Sequence, residues 1–325
     1  MKAIAFRKYG SSDLLTLEEV RIPVPMAGEV MVRVLAASVN SWDWEVMRGT
    51  PFVNRLVFGI WRPTNIKTLG ADIAGRIEAV GANITQFHLG EEVFGDLSAV
   101  GWGGFAQYVC VPETALMRKS NGMSFVQAAS IPQAGVMALQ GIRDYGQVQK
   151  GQKVLINGAG GGVGTFALQI AKFYGAEVTA VDSTEKLEML RSLGADHVVD
   201  YIEEDFTKLG PQYDLILDVV VRRSICDYLP ALNPGGRLVI VGGAFSRFFQ
   251  ALVLAPFLRI FTRKKIHLLL HKPNKNLEFL KELFVNGKIK PIVDGPYPLN
   301  AVPDAVKRIE DGHALGKIVI DMNSG

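Results

Sequence analysis

Cysteine is scarce in this chain: its 325 residues include only Cys110 and Cys226. Two thiols exclude a disulfide framework, and they exclude a zinc site built from four thiolates. Sparse free thiols fit a reducing compartment, and the first residues turn polar too soon for a signal peptide. From these absences we expect a cytoplasmic protein.

Charge of one sign and long apolar runs are lacking too. The 35 Lys and Arg residues nearly balance the 32 Asp and Glu residues, which gives a formal net charge of +3. No cluster of basic residues resembles the footprint of a nucleic-acid-binding protein. No apolar stretch reaches the roughly 20 residues that span a bilayer. We therefore expect no nucleic-acid partner and no membrane span.

Two kinds of hydrophobic pattern are present. In residues 1–118, short apolar runs alternate with glycine-rich turns, and Glu29–Leu35 has the period of a half-buried strand. From Lys153 onward, uniform apolar runs are separated by helical stretches, which is typical of a parallel sheet covered on both faces. A chain of this length holds about two domains, so we predict a β-rich domain and an α/β domain.

The most informative motif is the glycine-rich stretch 158–164, which lies between the apolar run Val154–Ile156 and a predicted helix. Its candidate cofactor-binding residues are Ala159, Gly160, Gly161, Gly162, Val163 and Gly164. Glycines let backbone N–H groups approach a pyrophosphate, and a helix N-terminus favours negative charge. A strand before, a helix after and an acid ending the next strand together predict dinucleotide binding. The alternative is a tight turn in an unrelated α/β fold.

The acid that ends the next strand, Asp182, bears on which dinucleotide binds. A carboxylate there accepts hydrogen bonds from the ribose hydroxyls and repels a 2′-phosphate, which favours NADH. Ser183 and Lys186 follow, and a hydroxyl with an ammonium suits that phosphate and favours NADPH. The alternative for Lys186 is a solvated helix surface. The residues alone lean slightly towards NADH.

With these residues in view, the sequence resembles the medium-chain dehydrogenase/reductase superfamily, in its zinc-independent quinone oxidoreductase (zeta-crystallin-like) branch. The resemblance covers almost the whole chain, and its most specific part runs from Gly151 through the glycines to Gln169 and Lys172. The other matching stretches are Ala37–Asn40, Leu69–Gly75, Leu193–Asp196 with Tyr201, and Gly312–Lys317.

The resemblance implies an α/β fold in which a Rossmann doubly wound parallel sheet is inserted into a β-rich GroES-like domain. The expected boundaries are 1–122 plus 267–325 for the GroES-like catalytic domain and 123–266 for the Rossmann domain. The resemblance also implies a homodimer. For the apolar stretch 248–265 it favours a buried or dimer-forming role, and the alternative is a peripheral membrane contact with basic anchors.

The resemblance further implies NADPH, held through Ser183, Lys186 and Tyr201. Asp182 departs from the neutral residue usual in the family, which leaves NADPH and NADH both open. Two other departures, Met137 for a threonine and Val221 for a glycine, lie at the expected nicotinamide end. The remaining residues that the resemblance assigns to the cofactor are Val219, Gly242, Gly243 and Lys317.

Zinc-dependent relatives carry a cysteine and a Gly-His-Glu triplet at two places in the GroES-like domain. In this chain those places are Val39–Ser41 and Gly70–Asp72, and neither holds a cysteine or a histidine. The five histidines of the chain are scattered without ligand spacing, whereas catalytic zinc takes three protein ligands. The sequence therefore predicts no metal.

Without a metal, a hydride acceptor must itself be electrophilic, as quinones and α,β-unsaturated carbonyls are, and a hydrogen-bond donor stabilises the charge that develops on oxygen. We expect Asn40 to supply that hydrogen bond or to fix the nicotinamide ribose; the alternative is a turn-forming Asn. We expect Asp43 to orient Asn40 or to cap the following turn. For Trp44, Phe58 and Trp61 we expect the wall of an apolar substrate pocket, with ordinary core as the alternative.

The sequence thus predicts a zinc-independent NAD(P)H-dependent oxidoreductase that reduces quinones or the activated double bond of α,β-unsaturated carbonyls by hydride transfer. Its partner is expected to be a small hydrophobic electrophile. The alternatives are a secondary alcohol dehydrogenase and a non-enzymatic NAD(P)H-binding protein, since a fold does not guarantee turnover.

Overall fold

The computed structural model describes residues 1–210, 212–242, 250 and 263–324. The chain forms two compact units. The first unit comprises Met1–Val136, Pro273–Val285 and Pro291–Gly325, and the second comprises Met137–Lys272 and Asn286–Lys290. Of the apolar stretch 248–265, only residues 250 and 263–265 are described, so its predicted role lies outside the described residues.

Strands predominate in the first 118 residues, and strands and helices alternate more regularly from Lys153 onward. The strands are β1 (Lys2–Ala5), β2 (Thr16–Glu19), β3 (Glu29–Val39), β4 (Asp72–Val80), β5 (Glu92–Asp96), β6 (Tyr108–Pro112), β7 (Met117–Arg118), β8 (Lys153–Asn157), β9 (Glu177–Asp182), β10 (His197–Asp200), β11 (Tyr213–Asp218), β12 (Leu232–Ile240), β13 (Lys265–Leu268), β14 (Val293–Tyr297) and β15 (Lys317–Asp321). The helices are α1 (Ser41–Arg48), α2 (Val53–Phe58), α3 (Phe125–Ser130), α4 (Pro132–Leu139), α5 (Gly162–Phe173), α6 (Leu187–Ser192), α7 (Ile225–Tyr228), α8 (Leu277–Val285) and α9 (Val302–Glu310). None of these helices is long and apolar enough to cross a bilayer.

The main sheet of the first unit has the strand order β14-β15-β3-β4-β5-β7, with β6 also paired to β3. The long central strand β3 buries Val30, Val32 and Val34 and exposes Arg33, as its alternating sequence predicts. The antiparallel registers pair Ser38 of β3 with Asp72 of β4. They also pair Val39 with the second residue of β15. Polar residues from three strands therefore meet at one end of this sheet.

The compact units do not end where the predicted domains end. Helix α3 packs on β3, β4 and β15, and the first unit therefore continues past residue 122 to Val136. Residues 286–290 belong to the second unit, where the side chain of Gln169 exchanges two hydrogen bonds with the backbone of Lys290, of 3.0 and 2.7 Å. The sequence motifs carry no signal for either contact. The predicted domain boundaries themselves stay a prediction.

The sheet of the second unit is parallel throughout, with the order β10-β9-β8-β11-β12-β13. Numbered from β8, this is the order 3-2-1-4-5-6 of a Rossmann fold. Such sheets bind ligands outside the carboxyl ends of the strands, where the order reverses. Here the reversal lies between β8 and β11, which end at Asn157 and Asp218. The parallel sheet predicted from the sequence is confirmed.

Candidate cofactor and active sites

The glycine-rich stretch forms the turn between β8 and α5. Gly158 has φ of 83°, a conformation that favours glycine. A Cβ on Gly164 would lie 2.1 Å from the carbonyl oxygen of Gly158. The turn and the first turn of α5 therefore pack too closely for any side chain at position 164, which is the role expected of the last glycine in a dinucleotide-binding motif.

The start of α5 fits a pyrophosphate. Gly161 is the N-cap of this 12-residue helix, so the N–H groups of Gly162 and Val163 have no acceptor within the helix. Apart from its chain neighbours, the atom nearest to a Cβ built on Gly161 would be the carbonyl oxygen of Gly158, at 3.6 Å. Free N–H groups, the positive end of the helix dipole and room for a further group beside Gly161 together suit an anionic group.

Asp182 at the end of β9 turns its carboxylate back onto the glycine loop. One oxygen accepts the N–H of Gly160 at 2.7 Å, and the other accepts the N–H of Ser183 at 2.9 Å. The ammonium of Lys186 lies 3.4 Å from the same carboxylate, and both side chains are more than nine-tenths buried. The carboxylate thus holds the loop, and its charge is balanced by Lys186.

The four residues assigned to the adenosine end lie together at the ends of β9 and β10. The N–H of Tyr201 donates to the carbonyl oxygen of Asp182 at 3.2 Å, and the side chain of Tyr201 is half exposed. The charge repulsion that favours NADH in the sequence is weakened here, because the Asp182 and Lys186 charges compensate each other. The cofactor roles of Asp182, Ser183, Lys186 and Tyr201 stay predictions.

A buried polar network lies between the ends of β8 and β11, where the strand order reverses. The Asn157 amide donates to Asp218 at 2.8 Å, and the Tyr228 hydroxyl donates to the other oxygen of Asp218 at 2.6 Å. Burial and the adjacent Asp218 carboxylate raise the pKa of Tyr228 above its ordinary range. Sequence reasoning missed these three residues; the only signal was a polar residue ending each of two apolar strands.

This network shapes the loop after β11. Asp218 accepts the N–H groups of Val220 and Val221 at 3.1 and 3.0 Å, and Val219 donates to the carbonyl oxygen of Asn157 at 3.0 Å. Val221 has φ of 53°, where glycine is favoured, which fits the glycine that the resemblance leads one to expect there. Gly242 follows β12 and is exposed, whereas Gly243 lies outside the described residues. The cofactor contacts predicted for Val219, Gly242 and Gly243 stay predictions.

In the first unit, Asn40 lies at the centre of a buried cluster. Its amide nitrogen donates to Asp72 at 3.1 Å, and its carbonyl oxygen accepts a hydrogen bond from the ammonium of Lys317. Lys317 also donates to the carbonyl oxygen of Val39 at 3.3 Å and lies 3.4 Å from Asp72. We define Asn40, Asp72 and Lys317 as the buried triad.

The buried triad fixes the orientation of the Asn40 amide. An ammonium only donates, so the carbonyl oxygen of Asn40 faces Lys317, and an ionised carboxylate only accepts, so the amide nitrogen faces Asp72. Asp72 is itself fixed by the Ser38 hydroxyl at 2.9 Å and by the backbone N–H of Gln133 at 3.0 Å. One N–H of the Asn40 amide remains to donate to a bound group.

Asp43 holds the backbone around Asn40. It is fully buried in α1, and it accepts the N–H of Asn40 at 2.7 Å and the N–H of Gly70 at 2.8 Å. This contact joins α1 to the segment before β4. Of the two roles expected for Asp43, the geometry favours capping, because its carboxylate contacts the backbone of Asn40. A catalytic role for Asp43 stays a prediction.

Burial raises the pKa values of the two buried carboxyl groups in this region, Asp43 and Asp72. It raises the pKa of Asp43 to about 7, against the opposing effect of the two N–H donors. It raises the pKa of Asp72 to about 6, against the opposing effect of Lys317. Lys317 was assigned to the cofactor by resemblance, and in this unit it is a buried partner of Asn40 and Asp72. Its cofactor contact stays a prediction.

The three aromatic residues assigned to a substrate pocket lie in different surroundings within the first unit. Trp44 is partly buried against the hydrophobic core. Phe58 packs edge-on against Trp102, with ring centroids 6.1 Å apart. Trp61 is 91 % exposed. The first unit does not bring these three side chains into one wall, and their contact with substrate stays a prediction.

Within the described part of the chain, no group of three or more His, Cys, Asp or Glu side chains is placed to hold a metal ion. The carboxylates of Asp43 and Asp72 bind backbone N–H groups, Asn40 and Lys317. The chemistry that this arrangement supports is hydrogen bonding by a fixed amide.

Two family models match the chain. One describes an alcohol dehydrogenase GroES-like domain and matches residues 26–121. The other describes a zinc-binding dehydrogenase and matches residues 193–320. The GroES-like part of the predicted fold is confirmed.

Relatives match over nearly the whole chain. A chloroplast envelope quinone oxidoreductase homolog of Arabidopsis thaliana is 31% identical over 99% of this chain and 98% of its own length. An NADPH-dependent alkenal/one oxidoreductase, also chloroplastic and from Arabidopsis thaliana, is 32% identical over 98% of this chain and 79% of its own. The structure of the quinone oxidoreductase from Coxiella burnetii is similar with a TM-score of 0.89, at 28% identity and 99% coverage of both chains.

Proposed function

The chain belongs to the medium-chain dehydrogenase/reductase superfamily and is an oxidoreductase, and from this premise we propose that it reduces quinones or the activated double bond of α,β-unsaturated carbonyls with NADPH. The observation that carries the proposal is the orientation of the Asn40 amide by Lys317 and Asp72. A fixed N–H donor stabilises negative charge on a carbonyl oxygen at no cost of reorganisation. The names of the relatives support the substrate class.

Each residue group has a separate task in this proposal. The N–H groups at the start of α5 bind the pyrophosphate, and Gly158 and Gly164 let the turn pack closely enough to present them. Asn40 donates a hydrogen bond to the substrate oxygen or to the nicotinamide ribose. Lys317 and Asp72 are positioning residues that keep its amide in one orientation. The cofactor, when bound, supplies the hydride.

We propose NADPH rather than NADH as the preferred cofactor. The Asp182 carboxylate already accepts two backbone N–H groups and is paired with Lys186. Its negative charge therefore opposes a 2′-phosphate less than an unpaired carboxylate does. Ser183, Lys186 and the half-exposed Tyr201 supply hydrogen-bond donors beside it. A relative is named for its dependence on NADPH.

The test is oxidation of NADPH and NADH, side by side, against 1,2-naphthoquinone and a simple enal, with and without a chelator. The proposal predicts oxidation that depends on the electrophile, resists the chelator and is faster with NADPH. Loss of activity with the chelator would contradict the metal-free mechanism. Cofactor binding without oxidation of either cofactor would favour a binding role.

Two further expectations from the sequence remain proposals. A homodimer is tested by sedimentation equilibrium of the purified protein. Cytoplasmic location is tested by fractionation of the source cells, and the chloroplastic names of two relatives offer it no support.

A further inference from the structure

Helix α2 carries an apolar stripe that faces solvent. Val53, Leu56 and Val57 have the i, i+3, i+4 spacing of one helix face, and Ile60 and Trp61 follow in the next turn of the chain. Such a face is normally buried in a globular protein. Here the exposed fractions of these five side chains run from 46% to 91%. Phe52, just before the helix, is exposed as well.

The opposite side of this helix is held by contacts with the rest of the first unit: Phe58 packs against the hydrophobic core, and Asn54 and Arg55 make polar contacts. Asn54 is buried and its amide donates to the carbonyl oxygen of Thr50 at 2.9 Å. The guanidinium of Arg55 lies over the ring of Tyr9, 4.8 Å from its centroid. The hydroxyl of Tyr9 donates to the carbonyl oxygen of Gly59 at 2.7 Å. The structure thus holds the apolar stripe outward by specific contacts.

The chain segment that carries the stripe has basic residues and no acidic ones. Between Val46 and Ala71 the sequence has four basic residues and no Asp or Glu. Arg48 pairs with Glu310 and Arg55 lies on Tyr9. Arg62 and Lys67 are exposed, and no ion pair to either is found among the described residues. Trp is enriched at membrane–water interfaces, and an Arg beside it can lay its apolar stem along such a surface while its charge stays in water.

We propose that this surface docks on an anionic phospholipid membrane. We call it the α2 patch and define it by its exposed residues: Phe52, Val53, Leu56, Val57, Ile60, Trp61, Arg62 and Lys67. The stripe would enter the interface while the two cations contact lipid phosphates. The proposal concerns a surface, and it assigns Trp61 to a membrane contact instead of the substrate-pocket wall expected from the sequence.

The charges argue against a second copy of the chain as the occupant. A twofold dimer places the same patch on both sides of its interface. The interface would then contain Arg62 and Lys67 of both copies, and this segment supplies no acidic residue to pair with them. An anionic lipid surface has the complementary charge and accepts apolar side chains.

The first experiment measures co-sedimentation with vesicles of phosphatidylcholine, and of phosphatidylcholine mixed with phosphatidylglycerol. We expect binding to the mixed vesicles, and a more than about tenfold loss of the partition coefficient in L56S/I60S/W61S, because apolar burial drives insertion. The matched control I22S/V24S/M26S removes three exposed apolar side chains from another surface and should bind like the wild type. All six positions are exposed, so thermal unfolding should be unchanged.

The second experiment isolates the charges. Each basic side chain near an anionic surface contributes about fivefold to binding, so R62Q/K67Q should lose about 25-fold on mixed vesicles and nothing on phosphatidylcholine alone. K288Q, a change at an exposed lysine outside the patch, is the control. Equal binding of R62Q/K67Q and wild type to mixed vesicles would overturn the proposal.

The third experiment locates the membrane contact. Of the four tryptophans, Trp61 is the exposed one, so brominated phosphatidylcholine in the mixed vesicles should quench it, and W61F should bind with the quenching lost. Three results would overturn the proposal: no binding to mixed vesicles, the same quenching in W61F, or a lipid-free dimer that L56S/I60S/W61S converts to monomer. The last would identify the α2 patch as a protein interface.

Discussion

The two regions proposed to act together, the glycine loop of the second unit and the buried triad of the first, are built in opposite ways. The loop offers backbone N–H groups at a helix start and leaves room for a methyl-sized group beside Gly161. The triad consists of side chains that satisfy one another and are more than nine-tenths buried. A backbone site needs close packing and little else. A side-chain site of this kind depends on every partner, so single substitutions should damage it more.

The largest effect is expected at Lys317. K317M leaves the Asp72 carboxylate buried without its cation and the Asn40 oxygen without its donor, which should lower the free energy of unfolding by about 3–5 kcal/mol. Urea denaturation measures this loss. K317M/D72N removes both charges and should be less destabilised than K317M alone. If the single and double variants unfold alike, Asp72 and Lys317 are not coupled.

If K317M is folded, it also tests whether Lys317 positions the Asn40 amide. Loss of that positioning should lower kcat while KM for NADPH changes little. K317R keeps a cation and should restore part of the rate. A raised KM for NADPH with an unchanged kcat would instead assign Lys317 to the cofactor, as the resemblance does.

The next effect is a dependence of stability on pH at Asp43. Burial raises the pKa of Asp43 to about 7 in the folded state, against about 3.9 in the unfolded chain. Between about pH 4 and pH 7, Asp43 is protonated in the folded state and ionised in the unfolded state. The contribution of this group to stability is therefore fully present below about pH 4 and is lost as pH rises to about 7. The loss is at most about 4 kcal/mol.

Denaturant unfolding across that pH range, compared between wild type and D43N, measures the effect. D43N cannot titrate there, so its stability should fall less than that of the wild type as pH rises. E203Q, at an exposed position, is the control and should follow the wild type. A wild-type curve parallel to that of D43N would show that Asp43 does not titrate in this window.

A smaller effect is expected in the glycine loop, where two glycines form a matched pair. The Cβ of G164A would meet the Gly158 carbonyl oxygen at 2.1 Å, whereas that of G161A meets nothing closer than 3.6 Å. G164A should lose about 1–3 kcal/mol of stability by overpacking. G161A should fold normally and bind the cofactor weakly, because its methyl group occupies the space assigned to pyrophosphate. Fluorescence titration with NADPH and urea denaturation separate the two results, and full affinity in G161A would place the pyrophosphate elsewhere.

The smallest effect is a shift in cofactor preference. K186M and S183A should each lower kcat/KM for NADPH relative to NADH, by about tenfold for K186M, because a hydrogen bond to a charged group contributes about 1.5–3 kcal/mol. The ratio of the two cofactors is the readout, since a folding defect lowers both values. An unchanged ratio in both variants would mean that the 2′-phosphate does not bind beside Asp182.

The same contrast explains what the sequence could predict. The glycine loop can be predicted from the sequence because one local segment carries both the turn and the helix start. The parallel sheet can be predicted because its strands are uniformly apolar. The fold class and the family are confirmed. Asn40 could be named only through its resemblance to the family, because nothing within its own segment shows that Asp72 and Lys317 lie beside it.

Long-range pairing also accounts for the other differences. Asp182 was expected to face a ribose, which stays a prediction, and the sequence did not show that its carboxylate also binds the N–H groups of Gly160 and Ser183. No periodicity reveals which way a carboxylate at a strand end turns. The stripe of α2 has the spacing of a buried face and is exposed, because the contacts of Asn54 and Arg55 orient the helix.

The central claim, hydride transfer from NADPH to an activated double bond, is tested most directly with NADPH that carries deuterium at the transferable position. The enzyme, a simple enal and a chelator are combined, and the product is examined by NMR. We predict deuterium on the β-carbon of the saturated product. Deuterium on the carbonyl carbon of an alcohol product would contradict the claim and identify an alcohol dehydrogenase, and no transfer at all would contradict enzymatic reduction of this substrate class.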